Sequence, residues 1–476
     1  MTATLTNPPR RATSQNAPDS QARATSDKLP FLVVLYLLCV ILPVSMNVGG
    51  VYLTTLRVLL LLVTLPMLVS LLIGRYGKTI PTDWLFLAHA VWLTLALAVN
   101  NPDRVIQQAP SVGVEFLGGY VLARTTIRTR TQFIAMCKWL VALVLCLLPF
   151  ALLETQTGDP LILRAIRALP GVTSVDITRD DPRLGMARVQ TTFAHPIHFG
   201  LFCSIAFSLA FVGLHNVYGN TRRFISAALV ALAGFTALSS GALLAIALQV
   251  ALIGWAFTFR KTEKRWWLLI GLFVLMWVAI DIVSNRGPFQ VFMSYATFSA
   301  HNAYWRSIIF EWGIMNIFGS VENNVPASPW FGIGLNDWAR PDYMFSGSMD
   351  NFWLVMGVRY GFPGFLLIAL GFVMQVKSLM QLKLPHGHPS LFIRRACVFT
   401  FLGLSFTLAT VHVWGNVYSF VMFFVGATGW MVQTSAMDDA GGGVPLPATS
   451  ERKGANYSRF APRTGPAARP YARQPR

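Results

Sequence analysis

Charged residues are scarce in this chain of 476 residues, at 12% of the total, whereas hydrophobic residues make up 54%. Soluble domains carry about 25% charged residues, so this composition excludes an ordinary soluble enzyme. The mean hydropathy of +0.53 leads to the same conclusion. The formal charge is +18, from 38 Lys and Arg against 20 Asp and Glu. In so apolar a chain we expect these positive charges to orient helices in a bilayer, and we predict no nucleic-acid partner.

Cysteine chemistry and the common cofactor motifs are also missing. The five cysteines all lie in apolar stretches, without a CxxC pair or a Cys/His cluster, and are predicted to be buried apolar side chains. The sequence contains neither a Walker-type phosphate loop nor an HExxH motif, so nucleotide hydrolysis and a zinc site are not indicated. His195 and His198 are three residues apart, but no third ligand accompanies them. We therefore predict neither a metal nor a cofactor.

Long apolar stretches dominate the chain between two polar ends. Composition predicts a disordered cytoplasmic tail over 1–29, a transmembrane domain over 30–433, and a disordered basic cytoplasmic tail over 434–476. A spanning helix needs about 20 mostly apolar residues, and twelve stretches approach this requirement, which predicts an all-α polytopic membrane protein. The twelve stretches are 31–50, 56–74, 84–99, 111–123, 133–153, 194–214, 224–239, 241–258, 266–284, 352–375, 396–411 and 414–433.

The distribution of positive charge supports twelve spans. With the amino terminus inside, 27 of the 38 Lys and Arg residues fall on the inner side, including all eight lysines. Cytoplasmic segments are enriched in Lys and Arg, and a wrong span count would mix the two sides. We predict that both termini are cytoplasmic.

The remaining eleven positive residues are all arginines on the outer side. A guanidinium group binds phosphate or carboxylate in a bidentate manner, which lysine cannot do. The alternative is salt bridging to outer acids such as Asp176, Asp180, Asp181 and Glu322. The eleven residues are Arg57, Arg104, Arg164, Arg167, Arg179, Arg183, Arg188, Arg286, Arg306, Arg340 and Arg359.

Two outer loops, about 154–193 and 285–351, are long, and long loops in compact bundles are usually functional. The second loop is rich in Trp and Tyr, which either stack on sugar rings or belong to the interfacial belt of a membrane protein. Four ionisable residues fall inside predicted spans and are functional candidates because charge is costly in lipid. They are His89, Glu115, Asp281 and Arg359. Arg359 is expected either to pair with Asp281 or Glu115 or to contact substrate.

Three stretches carry a resemblance to a known family. The first runs from Arg188 to Gly200 and has the pattern Arg-x6-His-Pro-Ile-x2-Gly. The second is Tyr304-Trp305-Arg306, followed by Ser-Pro-Trp-Phe-Gly-Ile-Gly-Leu over 328–335. The third is Asp350-Asn351, then nine residues, then Gly-Phe-Pro-Gly over 361–364. With twelve spans and a large loop after the ninth, the chain resembles the O-antigen ligase and Wzy-type polymerase superfamily, and most of all its exopolysaccharide polymerase (ExoQ-like) branch.

The resemblance implies a glycosyltransferase C-type fold in the bacterial inner membrane. It also implies metal-independent transfer of a glycan from polyprenyl diphosphate to a hydroxyl acceptor on the periplasmic face. Arg306 matches the essential loop arginine of the family, and Asp350 stands where ligases carry His. The stretch Leu238-Ser239-Ser240-Gly241 replaces the Ser-Arg-Gly of many ligases. Both departures disfavour a strict lipid A-core ligase.

The expected site follows from the charge of a diphosphate leaving group, which fixed guanidinium groups can stabilise. We assign catalytic roles to Arg306 and Arg188, assisted by Arg183 or Arg286, and this requires the two long loops to meet in space. Asp350 would accept the proton of the acceptor hydroxyl or orient that hydroxyl, unless it only caps the following helix. The remaining expected substrate contacts are Asn351, His301, Tyr304, Trp305 and His195.

Three functions stay open at this point. The first is a polymerase that joins lipid-linked repeat units, with a growing glycan as acceptor. The second is a ligase that transfers glycan to lipid A-core or to another acceptor. The third is a transporter or flippase of lipid-linked glycan, which would more naturally carry internal repeats and charges near the bilayer midplane. Membrane lipids are expected partners, and participation of a chain-length regulator is undecided.

Overall fold

The computed structural model describes residues 28–48, 51–178, 181–285, 287–288, 291–292, 300–344, 346–385 and 387–433. The tails predicted over 1–29 and 434–476 therefore lie outside the described residues, except for residues 28 and 29.

The described part of the chain is mostly helical. Its helices are α1 (Phe31–Ile41), α2 (Thr55–Leu72), α3 (Pro81–Asn100), α4 (Val105–Gly113), α5 (Gly119–Thr126), α6 (Arg130–Thr157), α7 (Leu161–Arg167), α8 (Pro196–Ser208), α9 (Asn220–Thr236), α10 (Ser240–Thr258), α11 (Arg265–Val283), α12 (Ala300–Phe318), α13 (Phe352–Gln381), α14 (Leu391–Leu408) and α15 (Gly415–Ala427). Its strands are β1 (Val44–Val48), β2 (Val51–Thr54) and β3 (Thr173–Ser174).

Nine helical segments of the described residues are long and apolar enough to span a membrane. They are Thr55–Leu72, Pro81–Asn100, Arg130–Thr157, Pro196–Gly213, Ser240–Thr258, Arg265–Val283, Phe352–Gln381, Leu391–Leu408 and Gly415–Gln433. Each coincides with a predicted span, so the prediction of an all-α polytopic membrane protein is confirmed at this level.

Three predicted spans differ from the expectation. The first, predicted over 31–50, is helical only over Phe31–Ile41, and after Leu42 and Pro43 the chain enters a β-hairpin. The fourth is helical from Val105 to Thr126, but Pro110 and a π-turn over Val114–Gly118 interrupt it. The seventh has 17 residues, Asn220–Thr236, which is at the lower limit of the roughly 17–25 residues that a crossing needs.

Helix α11 gives direct structural support for a lipid environment. None of its 19 residues is buried, although the segment is strongly apolar. Trp267, Ile282 and Val283 are 74%, 78% and 84% exposed. An apolar face of this extent is not stable in water, whereas lipid tails solvate it.

A three-stranded antiparallel sheet in the order β2-β1-β3 joins the first hairpin to the first long loop. Ser45 of β1 is opposite Thr54 of β2 and opposite Thr173 of β3. The Ser45 Oγ and Thr173 Oγ1 atoms are 2.9 Å apart. The sheet therefore fixes the middle of the first long loop, which also carries Arg183 and Arg188.

Gly361 breaks helix α13 and connects two of the stretches that carry the family resemblance. Its φ of +74° lies in the left-handed region, and an added Cβ would collide with the Trp330 carbonyl. Because the helix is broken at Gly361, nearby backbone N–H and carbonyl groups can form hydrogen bonds with the segment 328–335. Phe362 N–H donates to the Pro329 carbonyl at 2.7 Å, and Ile333 N–H donates to the Val358 carbonyl at 2.9 Å. These bonds fix the second long loop against α13.

A buried ion pair connects helices α3 and α5. Arg124 Nε lies 3.3 Å from Asp83 Oδ1, and both side chains are almost fully buried. The Tyr120 hydroxyl donates to the same carboxylate oxygen at 2.5 Å, and Ile80 N–H donates to the other at 2.8 Å. Arg124 also donates to Gln433 at 3.0 Å. Removal of either partner would leave the other charge buried without compensation and would destabilise the fold.

Replacement of Asp83 by Ala is expected to lower the free energy of unfolding by about 3–5 kcal/mol, because it leaves Arg124 buried without its counter-charge. The exposed Asp342→Ala variant is the matched control. Denaturant titration in detergent micelles, followed by tryptophan fluorescence, measures the difference. Equal unfolding midpoints for the two variants would contradict the assignment.

Candidate active site

A polar cavity of about 250 Å³ brings together six of the ten residues that the sequence nominates: Arg183, Arg188, His195, Trp305, Arg306 and Asp350. They come from the first long loop, from the start of α8, from α12 and from the segment before α13. The two long loops therefore meet, as the assignment of Arg188 required.

Arg306 occupies helix α12 on the wall of this cavity. Its Nη1 atom is buried and has no hydrogen-bond partner among the described residues. Burial lowers the pKa of Arg306 below its ordinary value, the negative charge of Asp350 opposes that shift, and the positive charge of Arg183 adds to it. A buried donor without a partner is costly, so an anion in the cavity would stabilise this side chain.

Glu154 positions the loop that carries Arg188. The carboxylate of Glu154, at the end of α6, accepts Gln190 N–H at 2.8 Å and Thr191 N–H at 3.0 Å. Thr191 has a φ of +51°, a conformation that β-branched residues rarely adopt. Charge-assisted bonds to two adjacent amides hold this strained turn in place. Sequence reasoning missed Glu154, which lies at a helix end close to the first long loop.

Arg183 belongs to a tight turn. The backbone groups of Arg183 and Met186 exchange two hydrogen bonds of 3.0 Å, and Leu184 and Gly185 between them both have positive φ. The Arg183 guanidinium donates from Nη1 to the Leu238 carbonyl at 2.9 Å.

The stretch after Leu238 also reaches the cavity, because Ser239 and Ser240 line it. Ser239 and Ser240 therefore share the cavity wall with Arg183 and Arg188. These serines were not nominated as site residues, although the departure from the ligase pattern marks their position in the sequence.

His195 has a structural role besides its place in the cavity wall. Its Nδ1 accepts the N–H of Ile197 at 3.1 Å and caps helix α8, which begins at Pro196. Because Nδ1 accepts this bond, the proton of the neutral ring is on Nε2. The ring centroid of His195 lies 6.1 Å from that of Trp414 and 6.5 Å from that of His198.

Asp350 and its neighbour Asn351 have different roles. Asp350 faces the cavity and accepts the Ser348 hydroxyl at 2.9 Å. The Asn351 side chain accepts the N–H of Leu354 at 3.1 Å and caps α13. The alternative in which Asp350 is the cap is therefore wrong. Asn351 borders a separate apolar groove, away from the polar cavity where a sugar contact was expected.

Three nominated residues are not among those that line the cavity in the described structure. Tyr304 is 57% exposed and contacts Trp305 edge to face, with ring centroids 6.0 Å apart. His301 belongs to α12, but its side chain is not described, and Arg286 lies outside the described residues.

Several outer arginines form ion pairs. Arg167 pairs with Asp176, as the salt-bridge alternative predicted, and Arg340 pairs with Asp337. Glu115 pairs with Arg57 at 2.7 Å, a partner that was not predicted from the sequence.

No protein-family model matches this chain, and no curated protein matches its sequence. Within the described residues, no group of three or more His, Cys, Asp or Glu side chains could hold a metal ion. The three guanidinium groups and one carboxylate of the cavity suit a ligand with more than one negative charge.

Replacement of Glu154 by Ala is expected to free the turn that carries Arg188. Hydrogen exchange of the peptide 187–194 should become about tenfold faster, because two amides lose their acceptor. Exchange mass spectrometry measures this, with the exposed Glu263→Ala as control. Unchanged protection in Glu154→Ala would contradict the role of Glu154.

Proposed function

We propose that the protein is a periplasmic-face glycosyltransferase that polymerises polyprenyl-diphosphate-linked oligosaccharide repeat units into a surface or secreted polysaccharide. The observation that carries the proposal is the convergence of Arg183, Arg188 and Arg306 with Asp350 around one small cavity. Such a cavity provides charge for a diphosphate and a carboxylate for an acceptor hydroxyl.

The proposed topology has twelve segments in the bacterial inner membrane, nine of which are the spanning helices described above, and both termini in the cytoplasm. In this arrangement the cavity residues belong to outer loops or to outer helix ends. A lipid-linked donor would then present its diphosphate at the membrane surface, at the level of the arginines.

Bond breaking at the donor sugar would leave negative charge on the lipid diphosphate. Guanidinium groups held in place before the reaction stabilise such charge without reorganisation. The acceptor hydroxyl attacks the anomeric carbon, the bond to the diphosphate oxygen breaks, and the hydroxyl proton moves to Asp350. Direct displacement of this kind inverts the anomeric configuration, which is part of the proposal.

An apolar groove of about 520 Å³ supports the proposal that the donor carries a lipid tail. It runs between α12, α13 and α14, and its walls include Phe310, Ile314, Phe365 and Phe372. Helix α12 carries Arg306 and Ile309 on the polar cavity and Phe310 and Ile314 on the groove. Helix α12 therefore lines both the polar cavity and the apolar groove. A diphosphate with a polyprenyl tail would occupy both spaces.

Arg306→Ala is expected to lower polymer synthesis about 10²–10³-fold, since it removes one electrostatic contact to the leaving group. The variant is expressed in a deletion strain, and the secreted polysaccharide and lipopolysaccharide are sized by gel and chromatography. Arg340→Ala is the matched control, because that outer arginine pairs with Asp337 away from the cavity.

Each outcome of this experiment has a definite meaning. Loss of long polymer with accumulation of single lipid-linked repeats supports a polymerase. Polymer of normal length that never reaches its acceptor would instead indicate a ligase. Wild-type products from Arg306→Ala would contradict the proposed site.

Asp350→Asn is expected to lower the rate about 10²–10⁴-fold, because the amide cannot accept the proton. Asp350→His should retain more activity than Asp350→Asn, since imidazole is also a base. Initial rates with extracted lipid-linked repeats measure both variants, with the exposed Asp342→Asn as control. Equal rates for the Asn and His variants would contradict proton transfer to Asp350.

A further inference from the structure

A second cavity, of about 430 Å³, has both polar and apolar walls. It has a volume typical of small-molecule sites. His198 and Trp414 line this second cavity, while His195 lines the first. The ring centroids of His198 and Trp414 are 4.1 Å apart, and that of His195 is 6.1 Å from that of Trp414. These three rings form a cluster that borders both cavities.

Two buried polar side chains on the wall of the second cavity lack partners. Thr192 Oγ1 and His198 Nε2 have no hydrogen-bond partner among the described residues. Thr192 is 2% exposed and His198 is 1% exposed. Buried polar atoms are normally satisfied by protein or by a bound molecule. A ligand that donates and accepts hydrogen bonds would satisfy both.

The charged residues on the wall of the second cavity form ion pairs. Arg57 pairs with Glu115 at 2.7 Å, and Asp176 pairs with Arg167 at 3.0 Å. Because the charges on this wall are paired, the cavity does not favour a phosphate ligand. Its polar wall atoms also disfavour a lipid tail. Trp414, which is 43% exposed, offers an aromatic face of the kind on which a sugar ring stacks.

We propose that the second cavity binds the terminal sugar of the acceptor glycan through Thr192, His198 and Trp414. This inference rests on the proposed function, because it places a neutral polyhydroxyl acceptor beside the anionic donor site. The cluster of His195, His198 and Trp414 then lies between the two substrates, and the acceptor glycan has to extend from the second cavity to bring its hydroxyl to Asp350.

The test measures binding of a free oligosaccharide to the purified full-length protein in detergent micelles by calorimetry. The probe is a set of fragments released from the cell's own surface polysaccharide by partial acid hydrolysis. Thr192→Val and Trp414→Leu are each expected to weaken binding about tenfold, through loss of a hydrogen bond or of the stacking face. Trp414 is partly exposed, so its replacement leaves the core intact.

Thr400→Val is the matched control. Thr400 Oγ1 is also buried without a partner in the described structure, but Thr400 lines neither of these two cavities. Thr400→Val and Arg306→Ala should both bind the fragments as the wild type does.

Two results would overturn the inference. In one, Arg306→Ala weakens binding and Thr192→Val does not, which would place the sugar among the arginines. In the other, the wild type binds no fragment, and ordered water then accounts for the unpartnered atoms. Failure of the proposed function looks different, because polymer synthesis would survive Arg306→Ala whichever variant binds sugar.

Discussion

Mutual repulsion of guanidinium groups is the constraint on which the site depends. Arg183, Arg188 and Arg306 line a cavity of about 250 Å³ with Asp350. Like charges interact more strongly where water is scarce, and the lowered pKa of Arg306 reflects its burial first, with Arg183 adding to the effect. One carboxylate offsets part of this charge. We propose that an anion bound in the cavity offsets a further part of this charge and pairs with the buried Nη1 of Arg306.

The surrounding structure holds these charges in place against their repulsion. Glu154 anchors the turn that carries Arg188, and the Leu238 carbonyl accepts from Arg183. The break at Gly361 lets backbone groups of α13 form hydrogen bonds with the segment 328–335. This segment is part of the connection between α12 and α13. Rigid support of this kind is what electrostatic catalysis needs, since the donors must be aligned before charge develops.

Composition and charge asymmetry predicted the membrane class, because both are strong signals. The meeting of the two long loops was a condition of the Arg188 assignment and did not follow from composition or charge. The sequence did not predict the short first helix, since the apolar run continues through Pro43 into residues that pair as strands. It also could not distinguish Asp350 from Asn351 as the helix cap, because both residue types cap helices. Glu154 and Thr192 act through backbone geometry and burial, which a single sequence does not reveal.

The central claim is that the arginine cavity binds a lipid diphosphate. The most direct test is binding of farnesyl diphosphate to the purified protein, with farnesol as the uncharged comparison. The account predicts that the diphosphate binds at least about tenfold more tightly than farnesol, and that Arg306→Ala removes this preference. Equal affinities for the two compounds in the wild-type protein would contradict the account.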